Sequence, residues 1–277
     1  MKDIFAMADV HGCRPLFDAM MNYCKDQDPE YSLIFLGDAI DRGPDGYAIM
    51  KELLDNPQVC YLMGNHEDMF TKAAREIKQI FNFENTDRDR VEAVLSACRN
   101  FDYKYAAIQD SLSNGGMSTL LDWVMDGMPM DLIERIEKLP HTFSVGKCDF
   151  CHSGGVYNIF KRVADCEYEG LPINQWDDEA ILWNRSALNI GWAPNRMAIF
   201  GHTPTPYLPD YTDVQVDEIR PIKYAPTNNP VYTGEKLDMD TGAVFTGRAF
   251  VLNVLTMKAQ GFELKDNQVE KIEVIQF

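Results

Sequence analysis

Three apolar runs within the first 67 residues end alike, each on a glycine-containing cluster of carboxylate, amide or imidazole side chains. Ile4–Ala8 runs into Asp9-Val10-His11-Gly12, and Leu33–Leu36 into Gly37-Asp38-Ala39-Ile40-Asp41-Arg42-Gly43. Val59–Met63 runs into Gly64-Asn65-His66-Glu67. Short continuous apolar runs closed by turn residues read as buried strands. Between them, Leu16, Phe17, Met20, Met21 and Cys24 recur at helical spacing, as do Tyr47, Ile49, Met50, Leu53 and Leu54 after Pro44. Strands joined by single helices imply right-handed crossovers and a parallel sheet. Ligands of such sheets bind beyond the carboxyl ends of the strands, and all three polar clusters are expected there.

The rest of the chain carries less chemistry. Residues 68–139 read as helices covering the sheet: Val91, Val94, Leu95 and Cys98 form one apolar stripe, and Leu132, Ile133, Ile136 and Leu139 another, with a break at Asn114-Gly115-Gly116. Strands are expected again at Thr142–Val145, Cys148–His152, Met197–Gly201, Phe250–Leu255 and Val269–Phe277. Residues 203–236 are rich in Pro, Tyr, Asp and Thr and weakly periodic, the mark of a long functional or mobile connection. With no repeat, low-complexity tract or linker, 1–277 reads as one domain, with a helical insertion at about 68–138 and a loop insertion at about 205–236.

Charge narrows the partners. Lys and Arg number 26 against 43 Asp and Glu, a net charge of −17. Such a surface repels nucleic-acid phosphates and anionic lipid, so neither is expected as a partner. It would also repel a phosphorylated substrate unless something strongly positive lies at the site, a first pointer to bound metal. The N-terminal residues lack the apolar core of a signal peptide, and no window approaches the ~18 apolar residues of a membrane span. The expected location is the cytoplasm; the oligomeric state is not legible. The seven cysteines (13, 24, 60, 98, 148, 151 and 166) are an odd number within apolar runs and read as reduced thiols. Cys148 and Cys151 lie three apart on a strand and face opposite sides, which argues against a shared zinc.

Taken alone, Asp9-x-His11 is as well explained by an N-cap-like Asp beside an incidental His. The Gly37–Gly43 segment is more specific, placing two carboxylates and an arginine between glycines that let backbone approach a ligand. Histidine usage gives an independent check. Of five histidines, His11, His66, His152 and His202 all sit at expected strand ends, and only His141 looks incidental.

This pattern resembles the phosphoprotein-phosphatase family of calcineurin-like metallophosphoesterases. Its three N-terminal signatures stand here as ADVHG, GDAIDRG and GNHE, followed by CHSGG and FGHTP. The second half is similar to the bacteriophage lambda type of serine/threonine protein phosphatase in Leu182-Trp183-Asn184-Arg185, Ile199–Pro204 and Asp240–Phe245. Ala8 and Ile40 stand where glycine and valine are frequent. The resemblance covers residues 3–67 and patches of 139–255, and it leaves 68–138 and most of 205–236 unmatched.

The resemblance implies an α/β fold (α+β in some schemes), a four-layer αββα sandwich of two mixed sheets flanked by helices. It implies two divalent transition-metal ions, manganese foremost with iron or zinc as alternatives. Asp9, His11 and shared Asp38 would bind one, and Asp38, Asn65, His152 and His202 the other. Two such ions generate a nucleophilic hydroxide at neutral pH. With only two carboxylates among the ligands the centre stays positive, and Arg42, Arg185 and Asn65 would hold the substrate phosphate. His66, oriented by Asp41, would be the general acid; Glu67 would support its loop. The expected reaction is hydrolysis of a phosphomonoester, a phosphorylated protein or a small phosphate ester. Two alternatives stand beside it: a symmetrical bis(5'-nucleosyl)-tetraphosphate hydrolase, and a non-catalytic phospho-binding protein, which should have lost part of a site that is complete here.

Overall fold

The computed structural model describes residues 2–83, 86–99, 105–154, 178–185, 187–189, 195–210 and 224–277. Alternation along the first two strands creates two packing faces. In β1 (Ile4–Met7) and β2 (Ser32–Phe35), Phe5, Met7, Leu33 and Phe35 join one apolar cluster. Their neighbours Ala6, Ala8, Ile34 and Leu36 join a second. The period-two pleat makes this division unavoidable once both faces are covered.

Helices cover the first face: α1 (Arg14–Gln27), α2 (Gly46–Asp55) and α3 (Asn65–Ile80), extended by α4 (Arg88–Cys98), α5 (Ala106–Ser113), α6 (Met117–Met125) and α7 (Met130–Ile136). The expected stripes hold: Val91, Leu95 and Cys98 of α4 are buried, as are Leu132, Ile133 and Ile136 of α7. The break at 114–116 falls between α5 and α6. One boundary differs from expectation. Asn65 and His66 open α3 rather than ending a loop, because Gly64 serves as N-cap and Glu67 closes the capping box back onto it.

The second face packs on another sheet through Phe150, Ile199 and Leu237. That sheet has the order β4-β5-β6-β8-β7, formed by β4 (Thr142–Val145), β5 (Cys148–Cys151), β6 (Met197–Phe200), β7 (Val231–Tyr232) and β8 (Lys236–Asp238). The first sheet has the order β11-β10-β9-β1-β2-β3, with β3 (Val59–Tyr61), β9 (Arg248–Asn253), β10 (Lys258–Lys265) and β11 (Gln268–Gln276). It is mixed: β1, β2 and β3 run parallel, whereas β9 pairs antiparallel to β1. The helix α8 (Asp178–Trp183) is tied to the end of β5 by Ser153 N–H donating to the Ile181 carbonyl, and its Leu182 joins the helical cluster of the first face. The result is the four-layer αββα arrangement.

Strands β7, β8 and β10 were not predicted. The first two are two and three residues long, one inside the Pro- and Tyr-rich stretch and the other beginning at its end. In β10, Gly261 and charged ends blur the alternation. Cys13, Cys24, Cys60, Cys98, Cys148 and Cys151 are free thiols. Cys166, Gly155 and residues 211–223 of the expected loop insertion lie outside the described residues. No helix among the described residues is long and apolar enough to cross a membrane.

Candidate metal centre

Six parallel strand ends converge on one edge of the sandwich. Asp9 and His11 follow β1, Asp38, Asp41 and Arg42 follow β2, and Asn65 and His66 follow β3. From the second sheet, His152 follows β5, His202 follows β6 and Asp240 follows β8. These connections are tight. Asp9, His11, Asp38, Asp41, Arg42 and His202 all adopt positive φ, between 40° and 73°. A left-handed L-residue costs roughly 1–2 kcal/mol, and such strain gathers where geometry serves a site. The loops after β2 and β3 also touch backbone to backbone: a Cβ on Gly37, at φ +94°, would lie 2.6 Å from Gly64 Cα. Glu67 locks this contact, accepting from Asp38 N at 2.8 Å, Ala39 N at 2.9 Å, Gly64 N at 3.1 Å and Tyr61 Oη at 2.6 Å.

Asp38 lies at the centre. Its Oδ1 is 3.3 Å from His152 Nε2, and its Oδ2 is 3.5 Å from His11 Nε2 and 3.8 Å from His66 Nε2. Burial alone would raise its carboxyl, but the imidazoles of His152 and His66 hold it well below the ordinary value. Two buried donor sets share this residue: His11, Asp38 and His66, and Asp38, His152 and His202. Asn65 Oδ1 joins the second set, 2.8 Å from His152 Nε2 and 2.9 Å from His202 Nδ1. Two of the imidazoles are aimed by backbone carbonyls. His11 Nδ1 faces Ile40 O and His152 Nδ1 faces Leu36 O, each at 2.8 Å, which turns both Nε2 atoms toward Asp38.

Asp9 stands outside the two tight sets, where its Oδ1 accepts from the His202 backbone N–H at 3.0 Å. Its Oδ2 is buried and without a hydrogen-bond partner, as is His202 Nε2. Buried polar atoms are seldom left so, and here they sit among nitrogen and oxygen donors of the type that binds manganese, iron or zinc. The residues fit a pair of divalent ions. Burial, and then Asp240 and Asp38, push the Asp9 carboxyl well above its usual range, a charge conflict that cations would relieve.

The phosphate-binding candidates border this centre. Arg42 donates to His11 Nε2 and, at 2.9 Å, to His66 Nε2. Arg185 Nη1 donates to the His202 carbonyl at 3.3 Å on the opposite rim. His66 Nδ1 lies 2.7 Å from Asp41 Oδ2. Burial lowers the His66 imidazole, yet Asp38 and hydrogen-bonded Asp41 outweigh it and leave it raised. His11, by contrast, is driven well below its usual value by burial and by His66. His141 lines a groove with Lys72 and Glu137, outside both donor sets.

Three contributions were not foreseen. Asp240, buried after β8 with Oδ2 unpartnered, is raised to about 6, mainly by burial. It follows its strand as His202 follows β6; the Asp240–Phe245 motif marks the segment, but the three-residue strand before it offers no apolar run to place Asp240 at the site. The others come from the helical region. Gly115 O accepts from Arg42 N at 3.0 Å, and Thr119 Oγ1 accepts from Asp41 N at 3.1 Å. The break at 114–116 therefore braces the Asp41-Arg42 turn.

Fold and paired donor sets define a metal-dependent phosphoesterase. The calcineurin-like phosphoesterase family model matches residues 3–206, and the chain belongs to that family. Serine/threonine-protein phosphatase 1 of Salmonella typhimurium is 31% identical over 68 residues, 24% of this chain and 31% of that relative. The match thus spans about a third of the relative's length. A solved structure of a provisionally assigned diadenosine tetraphosphatase superposes with a TM-score of 0.50 at 12% identity, covering 98% of this chain and 93% of the other. A cold-active protein tyrosine phosphatase gives 0.49 at 14% identity, covering 99% and 79%.

Proposed function

We propose that the chain hydrolyses phosphoric esters or anhydrides with two divalent metal ions, and that its substrate is a dinucleoside tetraphosphate. The two buried donor sets sharing Asp38 carry the hydrolytic part. Support for the substrate comes from the likeness, along nearly the whole chain, to the diadenosine tetraphosphatase, itself a statement about fold. A serine/threonine phosphoprotein is the second reading, favoured by the 68-residue match to a protein phosphatase and by the GNHE ending. The bacteriophage lambda affinity rests on the second-half motifs alone. In either reading 1–277 acts as one domain, manganese is the preferred ion, and the protein works in the cytoplasm.

Asp9, His11 and Asp38 would hold one ion and Asp38, Asn65, His152 and His202 the other; bound there, the pair supplies water activation and charge neutralisation. The chain's own residues do the rest. Arg42 and Arg185, on opposite rims, take the phosphate oxygens, together with Asn65. When the Arg42 fork leaves the imidazoles for the substrate, His66 Nε2 becomes free to face the leaving oxygen. Asp41 on Nδ1 keeps that ring oriented and stabilises its protonated form, so His66 delivers the proton. Glu67 holds the two loops in register.

The test compares diadenosine tetraphosphate with a phosphoserine peptide on manganese-loaded protein, with metal content measured. ADP as sole nucleotide product supports the first reading; phosphate release from the peptide alone selects the second. Two bound metals without turnover of either substrate would overturn both.

A further inference from the structure

Phe245 and Tyr207 are the two most exposed aromatic side chains among the described residues, at 55% and 67%. They are also neighbours, with ring centroids 6.2 Å apart in an edge-to-face arrangement at 73°. Both are mounted on short rigid turns. Phe245 lies in the single helical turn α9 (Ala243–Thr246), bounded by Gly242 and Gly247 at φ 72° and 70°. Tyr207 ends a 3-10 turn (Thr205–Tyr207) whose Thr205 is buried and donates its N–H to the Asp240 carbonyl. A large aromatic ring left half or more in solvent forgoes part of the roughly 1.5–3 kcal/mol that full burial would give, and two such rings side by side mark a candidate contact surface.

The connection to the site is Arg42. Its guanidinium carbon lies 5.5 Å from the Phe245 ring centroid, while the same guanidinium faces His11 and His66. One arginine thus joins the phosphate position to the aromatic pair. A phosphate taken by that fork has its organic tail within short reach of the two rings. In a nucleotide that tail is a ribose bearing a flat π-face, and stacking on Phe or Tyr is worth about 1–3 kcal/mol per base.

We propose that Phe245 and Tyr207 form a nucleobase-stacking subsite that sets the preference for nucleoside polyphosphates over other phosphate esters. The inference rests on the dinucleoside tetraphosphate reading and names the residues that would produce it. Stacking reads the face of a base rather than its edge, so adenine and guanine dinucleotides are accepted alike. On a surface of net charge −17, an aromatic pair joined to an arginine suits a ligand that is both anionic and flat.

The test uses the full chain loaded with manganese and reads a ratio: kcat/KM for diadenosine tetraphosphate over kcat/KM for inorganic tripolyphosphate, a comparable anion without bases. Taking a ratio removes the general loss expected when Arg42 loses its ring contact. Phe245→Ala and Tyr207→Ala should each lower the ratio by roughly 5–150-fold, mainly through KM for the nucleotide, the equivalent of 1–3 kcal/mol. Phe245→Trp should hold or raise it. An unchanged ratio in both alanine variants overturns the subsite, and so does a loss confined to phosphoserine peptide, which assigns the rings to a protein substrate. If the wild type cleaves phenyl phosphate but not the tetraphosphate, the substrate reading fails separately. ADP binding against pyrophosphate binding then decides the subsite: a preference for ADP lost in Phe245→Ala upholds it, and equal binding removes it.

Discussion

The two donor sets that meet at Asp38 are built differently. The set from the first sheet is made of loops. His11 and Asp38 stand in left-handed backbone, and the Asp41-Arg42 turn is held by Thr119 and Gly115 from the helical layer. The set from the second sheet is made of strand ends: His152 directly follows β5 and His202, itself in left-handed backbone, lies two residues beyond β6, while Asp240, outside both sets, lies two beyond β8. In the first, precision comes from strained turns braced by remote contacts; in the second, from register within a sheet, with a single strained residue, His202. A site of the first kind should be sensitive at residues far from the chemistry, and a site of the second kind at its strands.

The severest break is at the shared residue. Asp38→Asn removes the carboxylate common to both sets and should lower turnover by on the order of 10⁴-fold or more, about 5.5 kcal/mol of lost stabilisation. Metal analysis should show both ions weakened; loss of only one would mean that the sets are independent. Next is His66, which belongs to the first set by distance and to the acid–base pair by its bond to Asp41. His66→Asn should cost roughly 10²–10⁴-fold on a substrate with a poor leaving group, with metal content intact. A fall in metal content of similar size would make it a ligand instead.

The second sheet offers a stability test. Lys236 opens β8, buried, with its ammonium donating to the Gly154 and Ala187 carbonyls and near the Phe200 ring. Burial lowers it from 10.5 to about 8. Between those values the unfolded chain keeps a proton that the folded chain has released, so this group's contribution to stability rises with pH across that window. Below about 8 both states hold the proton and the penalty is constant. This contribution should rise by on the order of 3 kcal/mol, read as the wild-type minus Lys236→Met difference in urea unfolding from pH 7 to 10.5, because the thiols of Cys24 and Cys60, raised by burial, pull the total the other way over the same range.

The smallest effect sharpens the contrast most. Gly115 sits at φ +95°, and a Cβ there would come within 3.0 Å of Arg42 Cγ. Gly115→Ala should cost about 1–2 kcal/mol of stability and raise KM for phosphate substrates by displacing Arg42. A stability loss with KM unchanged would show that the brace holds the fold and not the arginine.

Much of the site was legible because its residues follow strands, and strands announce themselves as apolar runs. Asp9, His11, Asp38, Asn65, His66, His152 and His202 all come to the expected edge. Asp240 was marked only as part of the Asp240–Phe245 motif and not as a site residue, because its strand is three residues long and opens on a buried lysine, so no apolar run precedes it. The helical region was read correctly as helices covering the sheet, but its part in the site was not legible. A glycine carbonyl and a threonine hydroxyl act through where they end up, and periodicity says nothing about that.

By itself, then, the sequence determined the parallel strands, the covering helices and the donor types at the strand ends, since these follow from local pattern. Only the tertiary structure decided how the donors divide. Asp38 is shared because β2 lies between β1 and β3 in the first sheet and its loop packs against β5 of the second. The same packing separates Asp9 from the tight sets, seats Arg42 on Gly115, and brings Phe245 and Tyr207 together beside it. Those relations join residues as distant in the chain as Asp9 and His202 or Arg42 and Phe245, and contacts at such separation are fixed by the stacking of the two sheets, not by any local run of residues.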